Sequence, residues 1–216
     1  MKIHLKESKR LPKVLGIQEV KKLFHSAYKT MSTISKSESY KFFESLRNIV
    51  VLELLFATGA RVSEISNLNI ENLLISSGTI TIKGKGNKER LIQICNNETM
   101  KVLHEYYTLY KKKMNEAGGY FLVNRFGKKL SDQSIRTIVY LLAKRANIQK
   151  KITPHIFRHS FATLLLENDV DIKYIQALLG HSSILTTQIY THVTQTKQKK
   201  ILSTKHPRKS FTCSGI

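Results

Sequence analysis

Four side chains able to do phosphate chemistry fall in one stretch, Thr153 to His192: His155, Arg158, His181 and Tyr190. A phenol with a pKa of ~10 is mostly neutral at pH 7 and needs help to lose its proton before it attacks phosphorus. An imidazole is suited to take that proton, and a second one to donate a hydrogen bond to a phosphate oxygen. A guanidinium stays charged and grips two phosphate oxygens at once, so it clamps rather than transfers protons. Together these groups fit attack of Tyr190 on a phosphodiester, with His155 as base and His181 as donor. Arg61 adds a second clamp. Lys85, inside the turn Gly84-Lys85-Gly86-Asn87, supplies an ammonium that can protonate a leaving 5′ oxygen.

Each residue alone has a plainer reading. The chain has nine tyrosines, and a tyrosine is commonly a half-buried amphipathic side chain. A lone histidine is commonly structural, a lone arginine solvated, and Lys85 fits a simple phosphate contact. The argument for chemistry is that every required role is present at once. Two other readings fail. His155 and His159 are spaced like two metal ligands on a helix, but no Glu follows the first and no acidic third ligand is evident. Lys85 between glycines lacks the spacing and the Ser/Thr of a nucleotide-binding loop. Neither a metal nor a cofactor is therefore expected.

The chain must position these groups within 216 residues, enough for one domain with a real core. With 36 Lys+Arg against 15 Asp+Glu, the net charge of +21 calls for a polyanionic partner. Nucleic acid fits better than a membrane, because the longest apolar run, Ile49 to Ala57, is short and carries Glu53. Met1–Lys13 is basic and has no apolar signal-peptide core. Cys95 and Cys213 are too few and too far apart for a disulfide framework or a cysteine zinc site. A soluble, reduced, cytoplasmic protein is expected.

Along the chain, residues 1–12 read as a basic arm and residues 209–216 as a disordered tail, flanking one domain over 13–208. Val20, Leu23, Phe24 and Ala27 give a first amphipathic helix, and Thr30 to Ser39 an exposed loop. Tyr40 to Phe56 is a longer helix with Phe43, Leu46, Val50 and Leu54 as its buried stripe. Gly59 breaks it ahead of a short helix from Arg61 to about Leu68. Thr79 to Ile94 switches to strand period around the glycine turn, the signal of a β-hairpin. Glu98 to Glu116 is helical up to Gly118-Gly119, and Ser131 caps a helix to about Ala146. Thr153-Pro154 opens a helix with Phe157, Phe161, Leu164 and Leu165 on its core side. His155 and Arg158 share a face that flanks this core. Asp171 to Leu179 is a helix closed by Gly180. Ser183 caps a last one bearing Leu185, Ile189 and Val193, with Tyr190 about 100° off that stripe. The fold class expected is α+β, mainly helical, with a small antiparallel hairpin.

The boxes that carry these residues resemble the catalytic domain of tyrosine recombinases, the integrase family, and look closest to its Xer and phage-integrase type. The resemblance runs from about Leu11 to Arg208. Ala57-Thr58-Gly59-Ala60-Arg61-Val62-Ser63-Glu64 is similar to the family's first arginine box, with Glu64 supporting Arg61. Lys83-Gly84-Lys85-Gly86-Asn87-Lys88-Glu89-Arg90 resembles the hairpin of the catalytic lysine, which falls on Lys85. Thr153-Pro154-His155-Ile156-Phe157-Arg158-His159 resembles the second box, Leu179-Gly180-His181-Ser182-Ser183 the third, and Tyr190-Thr191-His192 the nucleophile segment.

The resemblance implies a site-specific recombinase, needing neither metal nor ATP, that cuts and rejoins DNA through a 3′-phosphotyrosyl bond on Tyr190. It implies Lys85 as acid, His155 as base, and Arg61, Arg158 and His181 around the phosphate. It also implies double-stranded recombination sites as partner, a monomer free in solution, a homotetramer on DNA, and a swapped C-terminal segment within Thr194 to Arg208. Relatives carry a helical core-binding domain ahead of the catalytic one. Leu11–Leu15 looks like the family's linker, which favours an excised catalytic part over a naturally short recombinase. A type IB topoisomerase and a non-catalytic DNA-binding module are the alternatives. His206-Pro207-Arg208 points away from the first, and the complete residue set away from the second.

Overall fold

The computed structural model of the chain describes residues 14–84, 89–180 and 193–213, with backbone alone for 193–197. In chain order the elements are α1 (Ile17–Ser32), α2 (Ser39–Thr58), α3 (Val62–Ser66), β1 (Leu73–Leu74), β2 (Thr79–Lys83) and β3 (Glu89–Gln93). These are followed by α4 (Asn97–Glu116), α5 (Asp132–Arg145), α6 (Pro154–Glu167), α7 (Ile172–Leu179) and α8 (Val193–Lys205). The expected α+β class, mainly helical with a small antiparallel sheet, is what the chain adopts.

The core is built around α2. Its expected stripe of Phe43, Leu46, Val50 and Leu54 is buried, but every residue from Ile49 to Ala60 is buried as well. A helix apolar on all sides must be covered on all sides, and α1, α4 and α6 pack around this one. Gly59 ends it in the left-handed region at φ 57°. A Cβ there would lie 2.5 Å from the Phe161 ring and 2.8 Å from Leu179, so the helix end presses directly on α6 and α7.

The hairpin forms β2 and β3 in antiparallel register, with Lys83 opposite Glu89. A third strand, β1, pairs with β2; at two residues it is too short to carry a period-2 signal. The Thr153 hydroxyl accepts from the Ile156 N–H at 3.4 Å, with Pro154 in the first turn of α6. Gly180 closes α7 at φ 64°. The expected Ser183-capped helix, with Leu185 and Ile189, lies outside the described residues.

The chain packs down at its C-terminal end, and of the expected tail over 209–216 Phe211 and Cys213 are buried. After α8 a 3-10 turn spans Pro207–Ser210, and His206, Pro207, Arg208, Phe211 and Cys213 are buried. The reason is a carboxylate in the middle of α2. Glu53, fully buried, accepts from Tyr28 Oη at 2.5 Å, from Thr99 Oγ1 at 2.7 Å and from Arg208 Nη2 at 2.8 Å. Arg208 also reaches Glu98 at 2.9 Å and the Phe211 carbonyl at 2.9 Å, with its guanidinium over the Phe24 and Phe211 rings. Gln198 adds a hydrogen bond to the Leu91 carbonyl at 3.1 Å, and Leu202 is buried.

His206 sits between Phe56 and Phe161. The Arg208 backbone N–H donates to its Nδ1 at 3.0 Å, so the neutral ring carries its proton on Nε2, which faces the Ala57 carbonyl at 3.3 Å. Burial, assisted by the Arg208 charge, pushes its pKa from 6.5 down to about 4. The unfolded chain then takes up the proton first. The contribution to stability is complete above about pH 6.5 and is lost as pH falls toward about 4, roughly 3 kcal/mol in all. Thermal melts of the wild type should lose more stability between pH 7 and 4.5 than melts of His206→Gln; parallel curves would refute this.

Candidate active site

The C-terminal end of α2 is where the arginines meet. Arg61 precedes α3, and Glu64 folds back so that its carboxylate accepts the Arg61 N–H at 2.8 Å and the Arg61 Nη1 at 2.9 Å. Arg90, from β3, places Nη2 at 2.7 Å and Nη1 at 3.2 Å from the same carboxylate, while its Nε donates to the Leu178 carbonyl at 2.7 Å. Arg158, from α6, donates to the Gly59 carbonyl at 2.9 Å and to the Leu179 carbonyl at 2.6 Å. Both carbonyls lie where helices end, and terminal carbonyls carry the negative end of the helix dipole.

Arg158 was expected on a face beside the core, yet it is only 7% exposed. Its two carbonyl partners explain how a guanidinium is tolerated there. Burial, with the charges of Arg61 and Arg90, lowers its pKa to about 10, against the opposing effect of Glu64. It stays charged at neutral pH. Burial pushes the Glu64 carboxyl upward, but hydrogen bonds from Arg90 and from the Arg61 backbone, with the Arg90 charge, outweigh this and hold it below the usual range. Two guanidiniums thus share the Glu64 carboxylate, and a third, Arg158, sits beside them on backbone carbonyls. The surplus positive charge, with Arg61 still 40% exposed at its side chain, suits an anion approaching from solvent.

His155 is exposed in the first turn of α6, on the same side as Arg158 three residues on. The described structure therefore brings Arg61, Glu64 and Arg158 to one place, with His155 nearby on the helix surface. Lys85, His181 and Tyr190 lie outside the described residues. Flanking residues are described: Lys83 and Glu89 pair across the hairpin, and α7 ends at Leu179.

Arg90 was not singled out from sequence, although a signal existed. In β3 it alternates with buried Ile92, and it pairs opposite buried Ile82. An arginine on the inward side of a strand needs a carboxylate partner. Among the described residues no cluster of three or more His, Cys, Asp or Glu could hold a metal ion. No described helix is long and apolar enough to cross a membrane.

Comparison with known proteins places the family and the fold. A tyrosine recombinase of Agathobacter rectalis is 46% identical over 211 residues, which cover 98% of this chain and 68% of that protein. The tyrosine recombinase XerD of Halalkalibacterium halodurans is 42% identical over 94% of this chain and 64% of its own length. The crystal structure of the XerH site-specific recombinase bound to its difH substrate superposes with a TM-score of 0.66 at 27% identity, over 94% of this chain and 58% of XerH. The chain thus spans about two thirds of the proteins it matches. The sequence pattern of the phage integrase family matches residues 14–197, and with the relatives above this settles that the chain belongs to the phage integrase family.

Proposed function

We propose that residues 13–208 form the catalytic domain of a site-specific DNA recombinase acting through a 3′-phosphotyrosyl intermediate on Tyr190, with residues 1–12 as a basic arm. The observation that carries this reading is the cluster at the end of α2: Arg61 and Arg90 on the carboxylate of Glu64, with Arg158 held beside them by the Gly59 and Leu179 carbonyls. The phenol oxygen of Tyr190 attacks the scissile phosphorus, and the bond to the 5′ oxygen breaks. His155 takes the phenolic proton, and Lys85 gives one to the departing 5′ oxygen. Arg61 and Arg158, with a hydrogen bond from His181, offset the charge that builds on the non-bridging oxygens. The ester stores the bond energy, so a 5′ hydroxyl of a second duplex can reverse the step without ATP. The partner is double-stranded DNA carrying recombination sites, bound mainly through phosphate contacts that salt weakens. XerH, the relative with its substrate bound, supports that partner; assembly as a tetramer on DNA and work at the nucleoid follow from the family resemblance.

The test uses a pool of nicked duplexes with inverted repeats and randomised cores, incubated with the full chain. Covalently captured DNA is sequenced, and the DNA-linked peptide is mapped by mass spectrometry. Linkage to Tyr190 is expected. Duplex binding with no adduct anywhere in the pool would leave a non-catalytic DNA-binding role instead.

Arg158→Lys gives a graded check. Lysine keeps the charge, but one ammonium cannot hold both carbonyls in the arginine's fixed fork and also meet a phosphate. Adduct formation should fall about 100- to 1,000-fold, while DNA affinity changes little. Single-turnover cleavage and anisotropy titration measure the two. An unaltered cleavage rate would remove Arg158 from the site.

A further inference from the structure

We propose that Arg90 is a positioning residue for DNA cleavage: by holding the Glu64 carboxylate it fixes the phosphate-binding Arg61, and by holding the Leu178 carbonyl it fixes the end of α7. This rests on the recombinase reading above.

The geometry assigns Arg90 a supporting part rather than a catalytic one. Nε goes to Leu178, and both terminal nitrogens go to Glu64. The fork is therefore engaged within the protein. Its side chain is 12% exposed against 40% for Arg61, so it lies behind the arginine that faces solvent.

Without Arg90, Glu64 and Arg61 would be an ion pair three residues apart, with the arginine exposed, on a helix of only five residues. Such pairs hold their geometry weakly. With Arg90, each carboxylate oxygen is fixed from the sheet side: Oε2 at 2.7 Å and Oε1 at 3.2 Å. The oxygen that receives Arg61 Nη1 is thus set in place before substrate arrives. The downward shift of the Glu64 carboxyl agrees, since the Arg90 hydrogen bond is the largest influence opposing burial.

The second contact joins a different segment. Arg90 reaches the carbonyl of Leu178, and a Cβ on Gly180 would lie 3.1 Å from Arg90 Nη1. Gly180, at φ 64°, immediately precedes His181 in sequence. One guanidinium therefore ties strand β3, helix α3 and the end of α7 together. Lysine has neither the fork nor the number of donors to do this.

The experiment compares wild type, Arg90→Gln and Arg90→Lys in the full chain. The substrates are nicked duplexes carrying either a normal scissile phosphate or a methylphosphonate, which has no charge on its non-bridging oxygen. A neutral phosphate needs less help from Arg61, so a defect transmitted through Arg61 must shrink on it. On the phosphodiester, Arg90→Gln should lower the plateau cleavage rate about 100-fold, as expected for a misplaced clamp, with half-saturating DNA unchanged. On the methylphosphonate the ratio of wild type to variant should fall to within a few-fold. Arg90→Lys should lie between the two on the phosphodiester.

Equal ratios on both substrates would overturn the proposal, since a merely structural role ignores phosphate charge. No rate loss in Arg90→Gln would overturn it as well. If that variant does not fold, as judged by its melting curve, Arg90→Lys is scored by the same two-substrate ratio; failure of both to fold assigns Arg90 to stability alone. Absence of any adduct with the wild type would show in the first lane and would fell the recombinase reading with it.

Discussion

Tyr190→Phe is expected to bind duplex DNA as the wild type does and to form no covalent adduct, a loss of at least ~10⁴-fold in cleavage. The substitution removes one oxygen and leaves the ring. DNA affinity should persist because it rests on an excess of 21 positive charges, and the salt dependence of binding should keep its slope. The other tyrosines described in the interior offer no substitute. Tyr28 gives its hydroxyl proton to Glu53, and burial beside that carboxylate raises its pKa far above the ordinary value. Tyr106 is buried, which raises its pKa too, and its oxygen accepts the Val123 N–H at 3.3 Å. Neither phenolate is accessible. A denaturing gel with nicked substrate reads the adduct, and anisotropy across a salt series reads the binding. An adduct that survives in the phenylalanine variant would place the nucleophile on another residue.

Glu53→Gln should lower the melting temperature by roughly 6–20 °C. Removing one partner of a buried ion pair costs about 3–5 kcal/mol, and each kcal/mol is worth about 2–4 °C in a chain of this size. Here the remaining partner is Arg208, with no exposure, which would keep only the part-exposed Glu98 as a counter-charge. An arginine cannot escape the penalty by giving up its proton. The double change Glu53→Gln with Arg208→Met should be no less stable than Glu53→Gln alone, because it removes a buried charge that Glu98 alone only partly balances. Scanning calorimetry of the single and double variants measures this. Additive losses would mean that Arg208 anchors the C-terminus by packing rather than by charge. The same anchor ties residues 206–213 to α2 and α4.

Much of this was determined by the sequence alone. Helix periodicity in α1 and α5, the Ser131 and Thr153 caps, the Gly59 and Gly180 stops and the two long strands of the hairpin are local signals. They depend on residues within a few positions of each other, and they hold whatever the rest of the chain does. The family was equally legible, because the boxes that carry it stand in a fixed order along the chain.

Only the tertiary structure decided which charges are interior. Arg158 looked like a flanking residue by helix phase, yet carbonyls from the ends of α2 and α7 draw it inside. Arg90 reads from sequence only as the end of the hairpin box, yet Glu64, twenty-six positions earlier, binds both of its terminal nitrogens. Nothing local in the sequence marks Arg208 as an interior residue, but Glu53 lies 155 positions away and holds it by charge-assisted hydrogen bonds. A buried ion needs a partner, and a partner distant in sequence leaves no mark on local composition or period. Those long-range pairings are what the folded chain adds to its sequence.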